Sequence, residues 1–167
     1  MVIMSVDLGE VRTGLAICDK MQILALPLCV ISEKNREKLL IEICKLAEKH
    51  KVECIVVGLP KNMDGSEGEG AMKARAFAQK LHEMSSIDVV LQDERCTTIT
   101  AYDYLNATNV RGQKRKKIID SVAATVILQD YLQSLKNKSL LFVLPIEITL
   151  PGSDPPLSFH FIPQLKL

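Results

Sequence analysis

Residues 2–19 read VIMSVDLGEVRTGLAICD, in which two apolar runs flank a short polar segment. The first run, VIMSVD, is rich in β-branched residues and stops before Gly9, and the second run, GLAICD, follows the polar segment 10–13. This pattern predicts two strands joined by a hairpin. A third apolar run, ILALPLCVI at 23–31, predicts another strand. Pro27 indicates a bulge or an edge position there, because proline cannot donate a hydrogen bond to a sheet ladder.

Helical and strand patterns alternate over the following hundred or so residues. The run CIVVGL at 54–59 is nearly all apolar, as expected of a central parallel strand that is covered on both faces. Apolar spacing predicts the other elements, namely a helix over 35–50, a helix over 71–84, a strand over 87–92, a helix carrying Ile99 to Leu105, and a helix from about 117 to 135. The order βββαβαβαα predicts an α/β domain. Its mixed five-stranded sheet would be antiparallel in the first three strands, with helices on both faces.

Two segments lie outside this regular pattern. PKNMDGSEGEG at 60–70 gathers Pro, Asn, Asp and Gly, so we expect a long flexible loop that could close over a substrate as a lid or serve as a plain connection. The tail that starts at Ser139 has apolar stretches separated by PGSDPP. We therefore predict one domain over residues 1–138 and a C-terminal extension of unknown role over 139–167.

Composition restricts the class of protein. The chain has 167 residues, of which 47% are hydrophobic and 25% charged, which is typical of one folded, soluble domain. It has no apolar stretch of about 18 residues and no signal-like start, so a cytoplasmic, non-membrane protein is expected. The five cysteines form no C-x-x-C pair, and the interpretation we favour is that they are buried hydrophobic residues without a chemical role.

Acidic residues stand where predicted strands end, and a sheet opens to solvent at such positions. Asp7 ends the first strand, and capping of a turn is the alternative role for it. Asp93 and Glu94 end the fifth strand, where alternation puts their side chains on opposite faces, so only one can join a shared cluster. The alternative is an exposed acidic pair with Arg95 as its salt-bridge partner.

Asp120 lies within KKIIDSVAATVILQDYL, a helix whose apolar faces are otherwise nearly continuous. An acid in that setting needs a partner, and the small Ala123 and Ala124 one turn later would let the helix approach the strand ends. A partly exposed acid near the helix start, favoured by the helix dipole, is the alternative.

Basic residues are candidates for contacts with a nucleic-acid backbone, although the formal net charge is only +1. Such contacts would make binding sensitive to salt and largely indifferent to sequence. A solvated basic surface is the alternative for the cluster at 111–117. The candidates are Arg12, Arg75, Arg95, Arg111, Lys114, Arg115, Lys116 and Lys117.

Four ordered motifs resemble the YqgF/RuvX family: VDLGEVRTGLA, VVGLPKNMDGSEGEGA followed by Arg75 and Phe77, DERCTT, and KKIIDSVAATVILQDYL. The resemblance implies a ribonuclease H-like fold and a nuclease acting on precursor 16S ribosomal RNA. A Holliday-junction resolvase role has been proposed for the family on similarity. The family's acidic positions fall on Asp7, Glu94 and Asp120.

These three acids suit the hydrolysis of phosphodiester bonds, in which two cations about 4 Å apart activate a water and stabilise the leaving oxygen. Hard oxygen ligands favour Mg²⁺ or Mn²⁺, and we expect Asp7 to bridge the metals while Glu94 and Asp120 each complete one site. The expected partner is nucleic acid, either structured RNA or branched DNA, bound by a monomer or a homodimer.

Three other interpretations compete with the RNA nuclease. One is a junction resolvase, and another is a non-catalytic RNA-binding factor for ribosome assembly. Sugar kinases and actin-like ATPases carry a similar D-x-G hairpin, but they need two lobes around the nucleotide, which 167 residues do not supply.

Overall fold

The opening segment forms an antiparallel pair in the computed structural model, β1 (Ile3–Leu8) with β2 (Arg12–Cys18). The structure describes residues 1–94 and 113–143, and it describes side chains for 1–94 and 122–138. The β1–β2 turn brings backbone close to backbone. A Cβ atom at Gly9 would overlap the carbonyl oxygen of Arg12, so the turn requires glycine at this position.

Strand β3 (Ala25–Ser32) pairs with β2 and forms one edge of the sheet. The register shifts at this pair, because Leu15 lies opposite Cys29 whereas the next residue, Ala16, lies opposite Pro27. Leu28 is therefore the extra residue of a bulge. Both expectations for Pro27, an edge strand and a bulge, are confirmed.

The sheet continues on the other side of β1 with β4 (Cys54–Leu59) and β5 (Asp88–Asp93). The strand order is β3-β2-β1-β4-β5, in which the β1–β4 and β4–β5 pairs are parallel. This confirms the mixed five-stranded sheet. The carboxyl ends of β1, β4 and β5 consequently lie along one margin of the sheet.

Helix α1 (Arg36–His50) begins at Asn35, whose side-chain oxygen accepts hydrogen bonds from the backbone N–H groups of Glu37 and Lys38. It is followed by Lys51 in the left-handed conformation, with φ 54°. Helix α2 (Glu69–Ser85) follows the 60–68 loop. The helix predicted at Ile99 to Leu105 lies outside the described residues.

Helix α3 (Gln113–Val143) is longer at both ends than the predicted 117–135. The predicted helix ended at about residue 135, just before KNKS interrupts the apolar pattern. No Gly or Pro occurs between 113 and 144, so no residue in this stretch breaks a helix. The helix therefore continues where the apolar spacing alone would end it.

Alternation along the strands gives the sheet two differently covered faces. Met4 and Val6 of β1 pack with Ile55 and Val57 of β4 in the core that α1 and α2 cover. The intervening residues face α3, and the buried hydroxyl of Ser5 donates a hydrogen bond to the carbonyl of Ala124 at 2.6 Å. Helices thus cover both faces, as predicted.

The chain divides into two compact units, residues 1–134 and 135–167. The predicted domain boundary after residue 138 falls inside α3 and stays a prediction. None of the described helices is both long enough and apolar enough to cross a bilayer.

Truncation of α3 tests how strongly this helix stabilises the domain. Leu128 is 0% exposed and Leu24 is 53% exposed. We expect Leu128→Ala to lower the free energy of unfolding by about 2–5 kcal/mol, because it leaves a cavity. Leu24→Ala should change it by less than about 1 kcal/mol. Urea denaturation of both variants measures the difference, and equal losses would contradict the packing of α3 on the sheet.

Candidate active site

Asp7 is the penultimate residue of β1 and lies on the sheet face that α3 covers, because Ser5 two residues earlier contacts that helix. Its carbonyl accepts a hydrogen bond from the N–H of Gly9 at 3.2 Å, which closes the start of the β1–β2 turn. The parallel register pairs Val6 with Val57. Asp7 therefore lies beside Gly58, the next residue of β4.

Glu94 directly follows β5 and remains attached to the sheet, since its N–H donates to the carbonyl of Leu59 at 3.2 Å. Its carboxyl group lies over Gly58. A Cβ atom at Gly58 would overlap Oε1 of Glu94 and would lie 2.7 Å from its Cδ and 2.9 Å from Cδ1 of Ile127. Glutamate thus occupies the space that a side chain on β4 would fill.

The pKa of Glu94 is raised from 4.5 to about 7. Burial is the largest cause, followed by the negative charges of Asp7 and then Asp93. The structure therefore brings Asp7 and Glu94 together across Gly58. Two carboxyl groups that repel each other in a partly buried site are a suitable place for a cation.

Asp93 takes a different position, because strand alternation turns it away from the α3 face. Its Oδ2 lies 3.8 Å from Nζ of Lys61. Lys61 is also 3.8 Å from Oε1 of Glu67, to which Arg75 donates two hydrogen bonds of 2.7 and 2.6 Å. Arg75, a predicted nucleic-acid contact, is thus paired with a carboxylate, which holds the pKa of Glu67 below its ordinary value.

The 60–68 segment has internal order. The Asn62 side chain donates to Oγ of Ser66 at 2.8 Å, and the N–H of Ser66 donates to Oδ1 of Asp64 at 2.8 Å. Together with the Glu67–Arg75 pair, these bonds give the loop a defined shape instead of the expected long flexible connection. Its role as a lid stays a prediction.

The other predicted site residues are described only in part. Arg12 is the first residue of β2, close to the same margin as Asp7. Asp120 lies in α3, as do Lys114, Arg115, Lys116 and Lys117, but their side chains are outside the described residues. Arg95 and Arg111 lie outside them altogether. Among the side chains of 1–94 and 122–138, no group of three or more His, Cys, Asp or Glu residues is placed to hold a metal ion.

Four of the five cysteines are described, and all four are free thiols. Cys18 and Cys54 are buried on either side of Ile3 in the sheet, and burial raises the pKa of both thiols. The Sγ atom of Cys18 accepts a hydrogen bond from the N–H of Ile3 at 3.2 Å. A thiol with a raised pKa is a poor nucleophile at neutral pH, in keeping with a packing role.

Three residues that shape this margin, Gly58, Lys61 and Glu67, were not predicted from the sequence. Gly58 left a signal, because a glycine inside an otherwise apolar strand often marks a close approach of another group. No comparable sequence signal marks Lys61 or Glu67. Their importance depends on the turn geometry of the loop, which the composition of 60–70 does not specify.

The fold is that of ribonuclease H-like nucleases. RuvC of T. thermophilus, solved in complex with a Holliday junction substrate, superposes with a TM-score of 0.55 at 11% identity, covering 82% of this chain and 96% of that chain. The fowlpox virus resolvase, solved with Holliday junction DNA, gives 0.50 at 14% identity and covers 81% and 99%. At these identities the likeness shows the fold.

Residues 1–134 match the RuvX family, described as Holliday junction resolvase, and the chain belongs to that family. A relative from Clostridium beijerinckii is 38% identical over 136 residues, 81% of this chain and 99% of its own length. One from Nitrosospira multiformis is 42% identical over 125 residues, 75% of this chain and 83% of its own. Both bear the name "Putative pre-16S rRNA nuclease". The chain is a nuclease.

The raised pKa of Glu94 makes the stability of the metal-free protein depend on pH. Unfolded, this carboxyl group ionises near 4.5, and folded it ionises near 7, so between these values the folded state binds more protons. We expect the free energy of unfolding of the wild type to fall as the pH rises from 5 to 8. The fall should exceed that of Glu94→Gln, which lacks the titrating group, by up to about 3 kcal/mol. Denaturation in a chelator measures this. Parallel pH profiles would contradict the raised pKa.

Proposed function

We propose that this chain hydrolyses phosphodiester bonds in precursor 16S ribosomal RNA, with a divalent metal ion held by Asp7, Glu94 and Asp120. The observation that carries the proposal is the carboxyl group of Glu94, which lies over Gly58 and close enough to Asp7 for their charges to interact. The RNA substrate is inferred from the names of relatives that share most of their length with this chain.

The donor set fits a hard cation. The side chains of Asp7 and Glu94 both offer carboxylate oxygens, which favour Mg²⁺ or Mn²⁺ over softer metals. The thiols of Cys18 and Cys54, which would favour softer metals, lie at the opposite end of β4 from Gly58. A cation between Asp7 and Glu94 would offset the burial and the repulsion from Asp7 that together raise the pKa of Glu94 to about 7. Metal binding would then release a proton from this carboxyl group.

The backbone of α3 supports Asp120 as the third ligand. Position 120 precedes Ala124 by one turn and Ile127 by about two turns, so the three positions share one face of the helix. The carbonyl of Ala124 accepts from Ser5, and Ile127 approaches Gly58. Position 120 therefore lies one turn further along the helix face that contacts β1 and β4.

When bound, the metal would supply a water nucleophile at neutral pH and stabilise the leaving oxygen. The protein's own residues act on position and charge. Asp7 and Glu94 are held by the register of β1, β4 and β5, of which β1 and β4 are largely buried, so little rearrangement would accompany binding. Arg12 and the 111–117 cluster are the proposed backbone contacts. Arg75 would join them by exchanging Glu67 for a phosphate, since both are anions with bidentate geometry.

A second candidate function is the resolution of four-way DNA junctions, which the family description and the shared fold with two resolvases favour. Symmetric cutting of a junction needs two active sites related by a twofold axis, and hence a homodimer. An RNA nuclease needs only one site. Oligomeric state is thus part of the test that separates the two functions.

Asp7→Asn tests the proposal, because an amide keeps the shape of the side chain but loses the charge that binds a cation. We expect the rate of cleavage of precursor 16S RNA with Mg²⁺ or Mn²⁺ to fall by more than about a hundredfold. This loss is larger than the one usually seen when a residue that only orients a metal ligand is replaced. Asp88→Asn, at the exposed start of β5, is the control and should cleave like the wild type. End-labelled RNA reports the cut position.

The same assay includes an end-labelled four-way DNA junction and a sizing measurement. RNA cleavage that depends on Asp7, by a monomer, would support the proposed function. Paired symmetric nicks in the junction by a dimer would favour the resolvase. Binding of RNA without cleavage in either metal would contradict both and indicate a ribosome-assembly factor.

A further inference from the structure

Gly58 occupies the central position of the candidate site. It lies in β4, whose six residues are all buried, between Asp7 on β1 and Glu94 after β5. Neighbouring strands are about 4.8 Å apart, so Asp7 and the backbone of Glu94 are separated by about two such spacings. The two carboxyl groups approach only because the glutamate side chain crosses the strand between them.

We propose that Gly58 is a positioning residue, whose missing side chain allows Glu94 to lie across β4 and form one metal site with Asp7. The inference rests on the proposed function. Gly58 does not touch metal or substrate itself. It acts through Glu94, whose Oε1 occupies the place that a Cβ atom at position 58 would take.

The three atoms nearest this space are Oε1 and Cδ of Glu94 and Cδ1 of Ile127, and all belong to side-chain ends. A Cβ at position 58 would lie 2.7 Å from Cδ of Glu94 and 2.9 Å from Cδ1 of Ile127. None of these nearest contacts involves backbone, so the protein can accept alanine by moving the glutamate carboxyl and the tip of Ile127. Alanine also costs less backbone entropy than glycine in a strand. The fold therefore loses little from a Cβ at this position, whereas the site loses its geometry.

Gly58→Ala is the principal variant, and Gly68→Ala is its matched control. At Gly68 a Cβ would meet only Nδ2 of Asn62, at an ordinary 3.9 Å. We expect Gly58→Ala to weaken Mn²⁺ binding, followed by electron paramagnetic resonance, by about 10–100-fold, the usual effect of residues that orient metal ligands. The metal concentration for half-maximal cleavage should rise equally. KM for RNA at saturating metal should stay within about twofold, and Gly68→Ala should match the wild type.

Two double variants separate displacement of Glu94 from strain in the core. Ile127→Val removes the Cδ1 atom, so Gly58→Ala/Ile127→Val relieves the apolar overlap but leaves the overlap with Glu94. We expect no recovery of Mn²⁺ affinity. In a Glu94→Ala background, Gly58→Ala should have no further effect on Mn²⁺ binding, because the group it displaces is absent. Recovery in the first, or a full additional loss in the second, would overturn the inference.

The set of variants also distinguishes this inference from the proposed function. If Glu94→Ala alone binds Mn²⁺ and cleaves RNA like the wild type, the proposed function fails. If Glu94→Ala loses both while Gly58→Ala keeps full Mn²⁺ affinity, only the positioning role fails. Should Gly58→Ala lower Tm strongly, the Gly58→Ala/Glu94→Ala variant decides the matter. Recovered Tm supports displacement of Glu94, and unrecovered Tm contradicts it.

Discussion

Burial of one carboxyl group beside another is the constraint on which this margin of the sheet depends. A carboxylate that leaves water must gain a compensating partner or take up a proton. Glu94 meets this constraint in the metal-free protein with a pKa of about 7, under the influence of burial and the charge of Asp7. The structure holds the two acids together despite that cost, because β1, β4 and β5 are locked in register by parallel pairing.

Alternation along those strands decides which acid takes which role. Asp7 and Glu94 lie on the face covered by α3, whereas Asp93 turns away and lies near Lys61. The sheet thereby separates neighbouring acids into one group suited to metal binding and another within an ion-pair chain that includes Glu67 and Arg75. These ion pairs link the 60–68 loop to α2, beside the candidate site.

Most of the fold was predictable, because apolar periodicity is strong in this chain. The bounds of β4 match the run CIVVGL, and Pro27 indicated both the edge and the bulge. The predicted range of α3 was too short, because the helix continues through residues that interrupt the apolar pattern but include no Gly or Pro. Asp7 and Glu94 could be named from their strand-end positions and from the resemblance to a family. Their approach across Gly58 could not, because it depends on which strands are neighbours in the sheet.

The bulge at Leu28 bears on how this sheet meets other molecules. An edge strand presents unpaired backbone groups that another chain can extend, and proteins counter this with prolines and irregularities at the edge. Pro27 removes one donor from β3, and the bulge beside it disturbs the spacing of the remaining groups. Strand-by-strand growth along this side is therefore disfavoured. At high concentration, the β3 edge protects the folded protein from joining its neighbours into a continuous sheet.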